Sequence, residues 1–441
     1  MGQLDPLVSK NYNYTIKTYH HSAYNARIIR KFAYAIPAVI IAKKQTINNI
    51  NTSTAMKYDF DKLTERRHTA CVKWDLLTDD KVLPLWVADM DFEVSQPIKE
   101  AVLQRALHGI FGYVLVPDEY YQSVVNWFAR RHNWHFKSTD MLCVTGVVPA
   151  VTLILKALTE PGDGVIIQPP VYNCFFTNVS HNDCRLVENN LIYENNTYRI
   201  DFEDLERKAS DPGVKAMVVC NPHNPACRVW TREELERIAQ ICINHNVAII
   251  SDEIHCEFTY GEHHYTPMAS LSPEIAAHTI SCCSASKAFN IAGLHMANIV
   301  TANDEWRARI QHAIEVCEAG EANPFGVNAT IAAFNHSEEW LEQMLDYVYG
   351  NYQVLKEFFE KNLPHLGVTK LEGTYLAWID CRCLGKTSEQ LVHELEQNAK
   401  VLLNSGSIYG AAGEGFLRVN MACPRSRLLE ALKRMKPYLE Q

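Results

Sequence analysis

Short apolar strands alternate with amphipathic stretches through the middle of this chain, and this alternation restricts the possible folds more than any other feature. Val165–Gln168 and Val247–Ser251 are apolar up to their last residue, without the period-two polar pattern of a sheet that faces water on one side. Between them, Thr231 and Glu234 have the spacing of a capping box for a helix that runs to about His245. Apolar strands joined by helices predict a mostly parallel sheet with helices on both faces.

The remaining elements first extend this pattern and then break it. Between residues 141 and 301 the further predicted elements are the strand Met141–Thr145, the helix Gly146–Thr159, and the strands Lys215–Cys220, Thr279–Cys283 and Asn298–Thr301. After about residue 330 the pattern changes to that of a smaller α+β domain, with helices at Glu338–Leu363 and Ser388–Asn398 and strands at Tyr375–Asp380 and Phe416–Asn420. We therefore expect a leader at 1–55, the N-terminal part of the small domain at 56–100, a large domain at 101–330 and the C-terminal small domain at 331–441.

The positive charge of the chain is concentrated at its start. Residues 1–55 hold seven Lys and Arg residues against one acidic residue, so this segment carries +6 and the remainder carries −15. Its apolar run, Phe32–Ala42, is too short to span a bilayer. The segment is predicted to be a poorly ordered leader, with a targeting segment as the alternative. The net charge of −9 argues against a nucleic-acid or membrane partner for the whole protein.

The fourteen cysteines follow no regular framework between Cys71 and Cys423. The two close pairs, Cys282 with Cys283 and Cys381 with Cys383, lack the spacing of a zinc site. We expect most of the cysteines to be buried and reduced, which predicts a cytoplasmic protein without a bound metal.

Polar residues stand after four predicted strands, at the edge where an open parallel sheet binds its ligands. Gly146 opens a helix, whose first N–H groups and dipole are suited to hold a phosphate. Asn224, Asp252 and Lys287 follow three further strands. Each has an ordinary structural explanation when taken alone, such as a turn, a helix cap or a solvated lysine. Together, a phosphate cradle, an amide, a carboxylate and a lysine suit pyridoxal 5′-phosphate held as a Schiff base.

At these residues the sequence resembles the fold-type I aminotransferase class I/II family, and from Met56 onward it resembles the MalY/PatB-type cystathionine β-lyase branch. The closer match is carried by Trp86–Phe92, His108–Tyr113, Ser251–His255, Ser286–Leu294, Gly373–Trp378 and Gly413–Asn420. The resemblance implies an α/β fold, with a mostly parallel seven-stranded sheet in the large domain and a smaller α+β domain.

The resemblance also implies roles for individual residues. Lys287 is expected to hold the cofactor and to act as the catalytic base, Asp252 to pair with the pyridine nitrogen, and Asn224 to bind the ring hydroxyl. Arg418 is expected to bind the substrate carboxylate through its planar fork. Further cofactor contacts are implied for Tyr172, Val147, Val148, Ser284 and His255, and for Tyr113 toward the neighbouring subunit of a homodimer with shared active sites. Asp89, Trp86 and Tyr375 are expected near the substrate, with helix capping for Asp89 and core packing for the two aromatic residues as alternatives.

Four positions depart from the family pattern. His255 stands where many relatives have a tyrosine, and His295 where many have a phosphate-binding arginine. Ala226 and Cys227 replace a Thr-Gly pair, which puts the local turn in doubt because glycine tolerates a positive φ and cysteine does not readily.

The residues themselves leave two reactions open. Loss of a thiolate from Cβ of a small amino-acid substrate gives pyruvate and ammonia, whereas reprotonation at the cofactor gives transamination. The branch resemblance favours the β-lyase, which acts on cystathionine or related cysteine S-conjugates in the amino-acid metabolism of methionine biosynthesis. A class I/II aminotransferase is the alternative, and a regulatory protein that retains the cofactor is a further one.

Overall fold

The structure is a computed structural model and describes residues 58–440. All of these residues belong to one compact unit, which begins at Tyr58. The predicted leader lies outside the described residues, and the predicted domain boundaries at residues 100 and 330 stay predictions. Within residues 58–440, no helix is long and apolar enough to cross a membrane.

The described chain alternates strands and helices through most of its length. Its strands are β1 (Leu83–Pro84), β2 (Met141–Val144), β3 (Gly164–Ile167), β4 (Arg185–Glu188), β5 (Ile192–Glu194), β6 (Thr197–Arg199), β7 (Val214–Cys220), β8 (Ala248–Asp252), β9 (Thr279–Cys283), β10 (Ala297–Val300), β11 (Gly367–Val368), β12 (Leu376–Asp380), β13 (Val401–Leu402), β14 (Asn404–Ser405) and β15 (Phe416–Asn420). Its α-helices are α1 (Val72–Asp75), α2 (Gln96–His108), α3 (Asp118–His132), α4 (Val147–Leu158), α5 (Cys174–His181), α6 (Phe202–Ala209), α7 (Arg232–Asn244), α8 (Pro273–Ala277), α9 (Ala285–Ala288), α10 (Asp304–Val316), α11 (Pro324–His336), α12 (Glu338–Asn362), α13 (Ser388–Glu394) and α14 (Arg425–Leu439).

A seven-stranded sheet forms the centre of the unit, in the order β2-β10-β9-β8-β7-β3-β4. Neighbouring strands are parallel from β9 through β4, and β10 is antiparallel to both of its neighbours. The predicted, mostly parallel sheet is therefore confirmed. The direction of β10 was not anticipated, because a buried strand has the same apolar pattern in either direction.

Both faces of this sheet are buried, as the apolar strands predicted. Val165 and Ile167 of β3 pack in one hydrophobic cluster, whereas Ile166 between them packs in the other. Successive side chains of a strand point to opposite faces, so a strand that is buried on both sides must be apolar at every position. The carboxyl ends of β7, β8 and β9 consequently share one edge of the sheet.

A second, antiparallel sheet has the order β11-β12-β15-β14 and carries the C-terminal part of the site. Trp378 of β12 stands opposite Arg418 of β15 in the register. The segment before α2 contacts this part of the chain: β1 pairs with β13, and the Asp91 N–H donates to the Ala422 carbonyl at 2.9 Å.

Element ends differ from their predicted positions by a few residues at most, with one change of type. The helix expected at Ser388–Asn398 is α-helical to Glu394 and continues as a wider π turn, Leu395–Ala399. Seven strands of two to four residues were not predicted, since they are too short to show a buried apolar pattern, namely β1, β4, β5, β6, β11, β13 and β14.

The doubtful turn at Ala226 and Cys227 keeps the conformation that glycine would favour. Cys227 has φ 61°, in the left-handed region, and its buried side chain donates to the carbonyls of Pro225 and Leu376. A left-handed residue other than glycine costs about 1–2 kcal/mol. The contacts of the buried thiol offset part of that cost.

Candidate active site

A cavity of about 590 Å³ opens at the carboxyl edge of the large sheet, where the sequence placed the ligand. It is bounded by the ends of β2, β7 and β8, by α9, and by residues of the antiparallel sheet. Eight predicted site residues line it, namely Val147, Val148, Tyr172, Asn224, Asp252, His255, Lys287 and Arg418.

Lys287 enters the cavity from α9, a single turn that begins directly after β9. Ser284 caps this turn, because its hydroxyl oxygen accepts from the Ser286 N–H at 3.0 Å and its hydroxyl donates to the Met296 carbonyl at 2.6 Å. The Lys287 Nζ donates to the Ala88 carbonyl at 2.6 Å. Ser284 does not line the cavity itself, and its predicted contact with a phosphate stays a prediction.

The surroundings of Lys287 lower the pKa of its amine. Burial lowers the pKa of the amine to about 8, and the Arg418 guanidinium also lowers it, while Asp89 and Asp252 act in the opposite direction. A lysine with this pKa is partly neutral near pH 7, so it can act as a nucleophile toward an aldehyde and as a base.

Asp252 ends β8 and is buried in the same cavity. Burial raises the pKa of this carboxyl to about 7; the Ile254 N–H, which donates to Oδ1 at 3.1 Å, lowers the pKa, and the neighbouring Glu253 raises it. A buried carboxylate of this kind gains most from a cationic partner. The protonated nitrogen of a pyridine ring is such a partner.

His255 stands close to Tyr375, and both side chains are buried. Their ring centroids are 5.6 Å apart in an edge-to-face arrangement, and the His255 Nδ1 has no hydrogen-bond partner in the described part of the chain. Burial, together with the charges of Lys287 and Arg418, holds the pKa of His255 well below its ordinary value. The ring is therefore neutral and has one nitrogen left for a ligand.

Arg418 reaches the cavity from the middle of β15. Its Nη2 donates to the Trp86 carbonyl at 2.7 Å, and its Nη1 donates to Asn224 Oδ1 at 3.3 Å. The guanidinium also lies 5.1 Å from the centroid of the Tyr409 ring, and its Nε has no hydrogen-bond partner among the described residues. A buried guanidinium with a free donor is well suited to bind a carboxylate.

The first turn of α4, which also lines the cavity, has the features of an anion site. The backbone N–H groups of Val147 and Val148 belong to the first turn of α4 and have no acceptor within the helix, and Pro149 has no N–H at all. His295 also lines this cavity, in a left-handed conformation with φ 50°. Helix N-termini of this kind bind phosphate groups.

The remaining predicted residues lie outside the cavity lining. Tyr375 is buried and donates to the Ala88 carbonyl at 2.7 Å, and Asp89 forms an ion pair with Arg66 at 2.6 Å. Tyr113 is 96% exposed and borders a separate surface depression with Phe111. The substrate roles of Asp89 and Tyr375 and the partner role of Tyr113 stay predictions.

Asn404 and Tyr409 also line the cavity, but the sequence did not predict them as site residues. The Asn404 Nδ2 donates to the Trp86 carbonyl and to the Tyr409 hydroxyl, each at 3.0 Å. Neither residue follows a strand of the large sheet, so the strand-end rule that found Asn224 and Asp252 had no reason to select them.

These residues offer a chemically suitable partner for each functional group of pyridoxal 5′-phosphate. The first turn of α4 is suited to the phosphate, the buried Asp252 to a protonated ring nitrogen, and the amine of Lys287 to the aldehyde. The free His255 Nδ1 and the amide of Asn224 supply polar groups between them. Fold and site together thus define an α/β enzyme of the fold-type I pyridoxal-phosphate class.

Comparison with known proteins agrees with this class. Residues 80–435 match the family described as Aminotransferase class I and II, and the chain belongs to this family. Cystathionine beta-lyase PatB of Bacillus subtilis (strain 168) is 38% identical over 385 residues, which are 86% of this chain and 100% of PatB. Protein MalY of Escherichia coli (strain K12) is 32% identical over 378 residues, which are 84% of this chain and 96% of MalY.

A solved structure gives the same result for the fold and the cofactor. The PLP-bound C–S lyase from Staphylococcus hominis superposes with a TM-score of 0.82 at 31% identity, covering 88% of this chain and 99% of that chain. The predicted fold class is confirmed, and pyridoxal 5′-phosphate is the cofactor of this family member.

Proposed function

We propose that this chain is a pyridoxal-phosphate-dependent C–S β-lyase that converts L-cystathionine or related cysteine S-conjugates to a thiol, pyruvate and ammonia. The observation that carries this proposal is the presence of Lys287 and Arg418 in one cavity, 2.6 Å and 2.7 Å from two carbonyls of the same segment. The similarity to PatB and MalY selects the lyase among the reactions that such a site supports.

The chain's own residues perform three tasks in this reaction. Arg418 binds the α-carboxylate of the amino acid and thereby orients its Cα hydrogen. The amine of Lys287, which is partly neutral near pH 7, accepts that proton. Asp252 keeps the ring nitrogen protonated. When bound, the cofactor supplies an electron sink for the charge at Cα, and the thiolate at Cβ leaves.

Incubation of the purified enzyme with L-cystathionine, without any 2-oxo acid, tests the proposal. We expect pyruvate and homocysteine in equal amounts, with pyruvate measured through lactate dehydrogenase. A strict need for a 2-oxo acid would contradict the lyase and identify an aminotransferase. Lys287→Ala is the control, since loss of turnover in this variant separates catalysis from a regulatory role that only requires the cofactor.

We further propose that the enzyme is a homodimer in the cytoplasm. The exposed apolar side chains between residues 103 and 115 support a second copy as partner, namely Leu103, Leu107, Ile110, Phe111, Tyr113 and Leu115. Tyr113 then extends toward the neighbouring cavity. The fourteen cysteines are all free of disulfides, which is typical of a reducing compartment.

A further inference from the structure

One short segment provides the acceptors for the reactive groups of the cavity. We call residues Trp86–Phe92 the acceptor segment. Its Ala88 carbonyl accepts from Lys287 Nζ at 2.6 Å and from the Tyr375 hydroxyl at 2.7 Å. Its Trp86 carbonyl accepts from Arg418 Nη2 at 2.7 Å. The backbone of this segment therefore sets the position of both the base and the carboxylate-binding cation.

A buried ionic cluster holds the acceptor segment from behind. The side chain of Asp91 is fully buried, and its Oδ1 accepts from Arg66 at 2.7 Å, from Lys73 at 3.1 Å and from the Trp74 indole at 3.1 Å. Its Oδ2 lies 3.3 Å from Arg427 Nη1. Arg66, Lys73 and Trp74 precede the acceptor segment in the chain, whereas Arg427 follows it in α14. Asp91 is therefore bound by residues from both parts of the chain.

The cluster also reaches back along the segment toward the cavity. Lys73, whose side chain is fully buried, donates to the Asp89 carbonyl at 3.3 Å, and Arg66 donates to the Met90 carbonyl at 3.0 Å. Asp91 is three residues from Ala88. Loss of its carboxylate would leave the fully buried Lys73 ammonium with Asp89, 3.5 Å away, as its remaining carboxylate partner. The segment would then have to move for this ammonium to find a closer partner or water.

We propose that Asp91 is a positioning residue, which anchors the acceptor segment and so keeps its carbonyl oxygens in place against Lys287 and Arg418. This inference rests on the proposed function for the roles of those two residues. The alternative is that the cluster only stabilises the fold, in which case the properties of the cavity would not depend on it.

The two roles predict different behaviour of Lys287. The Ala88 carbonyl stabilises the ammonium form, because a hydrogen bond to the charged form favours that form. If the segment shifts and this acceptor is lost, protonation becomes less favourable and the pKa of Lys287 falls further. In the same shift Arg418 loses the Trp86 carbonyl that orients it, which weakens substrate binding.

Asp91→Asn is the test, measured in the full chain. The first readout is the pH dependence of pyridoxal 5′-phosphate capture by the cofactor-free protein, followed by visible absorbance. We expect its midpoint to move to lower pH than in the wild type. The second readout is steady-state kinetics, where KM for the amino-acid substrate is expected to rise roughly 10-fold to 100-fold, the range for a small misplacement in a site. Asp91→Glu should recover part of both effects.

Glu257→Gln is the matched control. Glu257 is also buried and accepts from Arg131, His132 and Trp127 of α3, rather than from residues that hold the acceptor segment. We expect it to lower the melting temperature while the capture midpoint and KM keep their wild-type values. An unchanged midpoint and KM in Asp91→Asn would overturn the proposal, as would equal shifts in both variants.

A second variant and the choice of readout allow the proposal to be tested even if Asp91→Asn does not fold or the lyase assay fails. If Asp91→Asn does not fold, Trp74→Phe removes one donor to Asp91 and keeps the charges, and smaller shifts in the same directions are expected; their absence counts against the proposal. Cofactor capture does not depend on which reaction the enzyme performs. A failed lyase assay with a shifted midpoint would therefore contradict the proposed function and not the role of Asp91.

Discussion

At the scale of the residue, burial is what makes the site reactive. Lys287 and Asp252 are ordinary side chains in water, but in the cavity both are displaced toward their neutral forms, with pKa values of about 8 and about 7. A cofactor with a cationic ring nitrogen for Asp252 and an aldehyde for Lys287 would offset the free-energy cost of burying these two ionisable side chains. The site is thus electrostatically prepared for one kind of ligand.

The pH dependence of cofactor capture tests this directly. Only the neutral amine attacks an aldehyde, so capture should accelerate with pH and level off above about pH 8, the pKa of Lys287. At pH 7 the rate should be about one-tenth of its plateau. Mixing cofactor-free protein with pyridoxal 5′-phosphate in a stopped-flow instrument measures it, with Lys287→Ala as the blank. A rate that still rises tenfold per unit at pH 9 would show that the amine is not perturbed.

At the scale of the element, a local sequence signal was sufficient to predict where a helix begins. The capping box predicted at Thr231 and Glu234 is present at the start of α7, where the Glu234 N–H donates to the Thr231 hydroxyl at 3.2 Å and the Thr231 N–H donates to Glu234 Oε2 at 2.9 Å. Both contacts lie within one turn, which is why the sequence alone revealed them.

Removal of this cap should destabilise the protein without affecting the site. Thr231→Ala is expected to lower the free energy of unfolding by about 1 kcal/mol, because the Glu234 N–H loses its acceptor. Urea denaturation followed by circular dichroism measures the change, and Thr231→Ser, which retains the hydroxyl, is the control. Glu234 is a poorer choice for substitution, since it also pairs with Arg228. Equal stability of the Ala and Ser variants would contradict the capping role.

At the scale of the whole molecule, the described unit leaves a group of apolar side chains between residues 103 and 115 exposed. Leu107, Ile110 and Leu115 are 70%, 68% and 89% exposed, and Tyr113 lies among them. Contiguous exposed apolar side chains on a protein of this size mark an interaction surface. A second copy of the chain covers it in the proposed dimer.

Ile110→Asp should weaken this dimer. A charge buried in an apolar interface without a partner is unfavourable, so we expect dissociation at concentrations at least 10-fold higher than in the wild type. Sedimentation velocity over a dilution series measures it. Leu186→Asp, on the partly exposed edge strand β4, is the control and should remain dimeric. A wild-type protein that is monomeric throughout would contradict the homodimer.

The sheet and the position of its ligand edge were predictable from the sequence. Apolar strands and the polar residues after them are local facts, and Asn224, Asp252 and Lys287 were found from them alone. Arg418 and Tyr172 came from the family resemblance, because no rule of residue type or spacing links them to that edge.

The contacts that hold the site together depend on how distant segments pack. The carbonyls of Trp86 and Ala88 receive Arg418 and Lys287, yet every residue has a carbonyl, so the sequence contains no signal for this use. The same holds for the direction of β10 and for Asn404, which meets Trp86 across the fold. Local patterns specify what each segment can form, whereas contacts between distant segments exist only after the chain has packed.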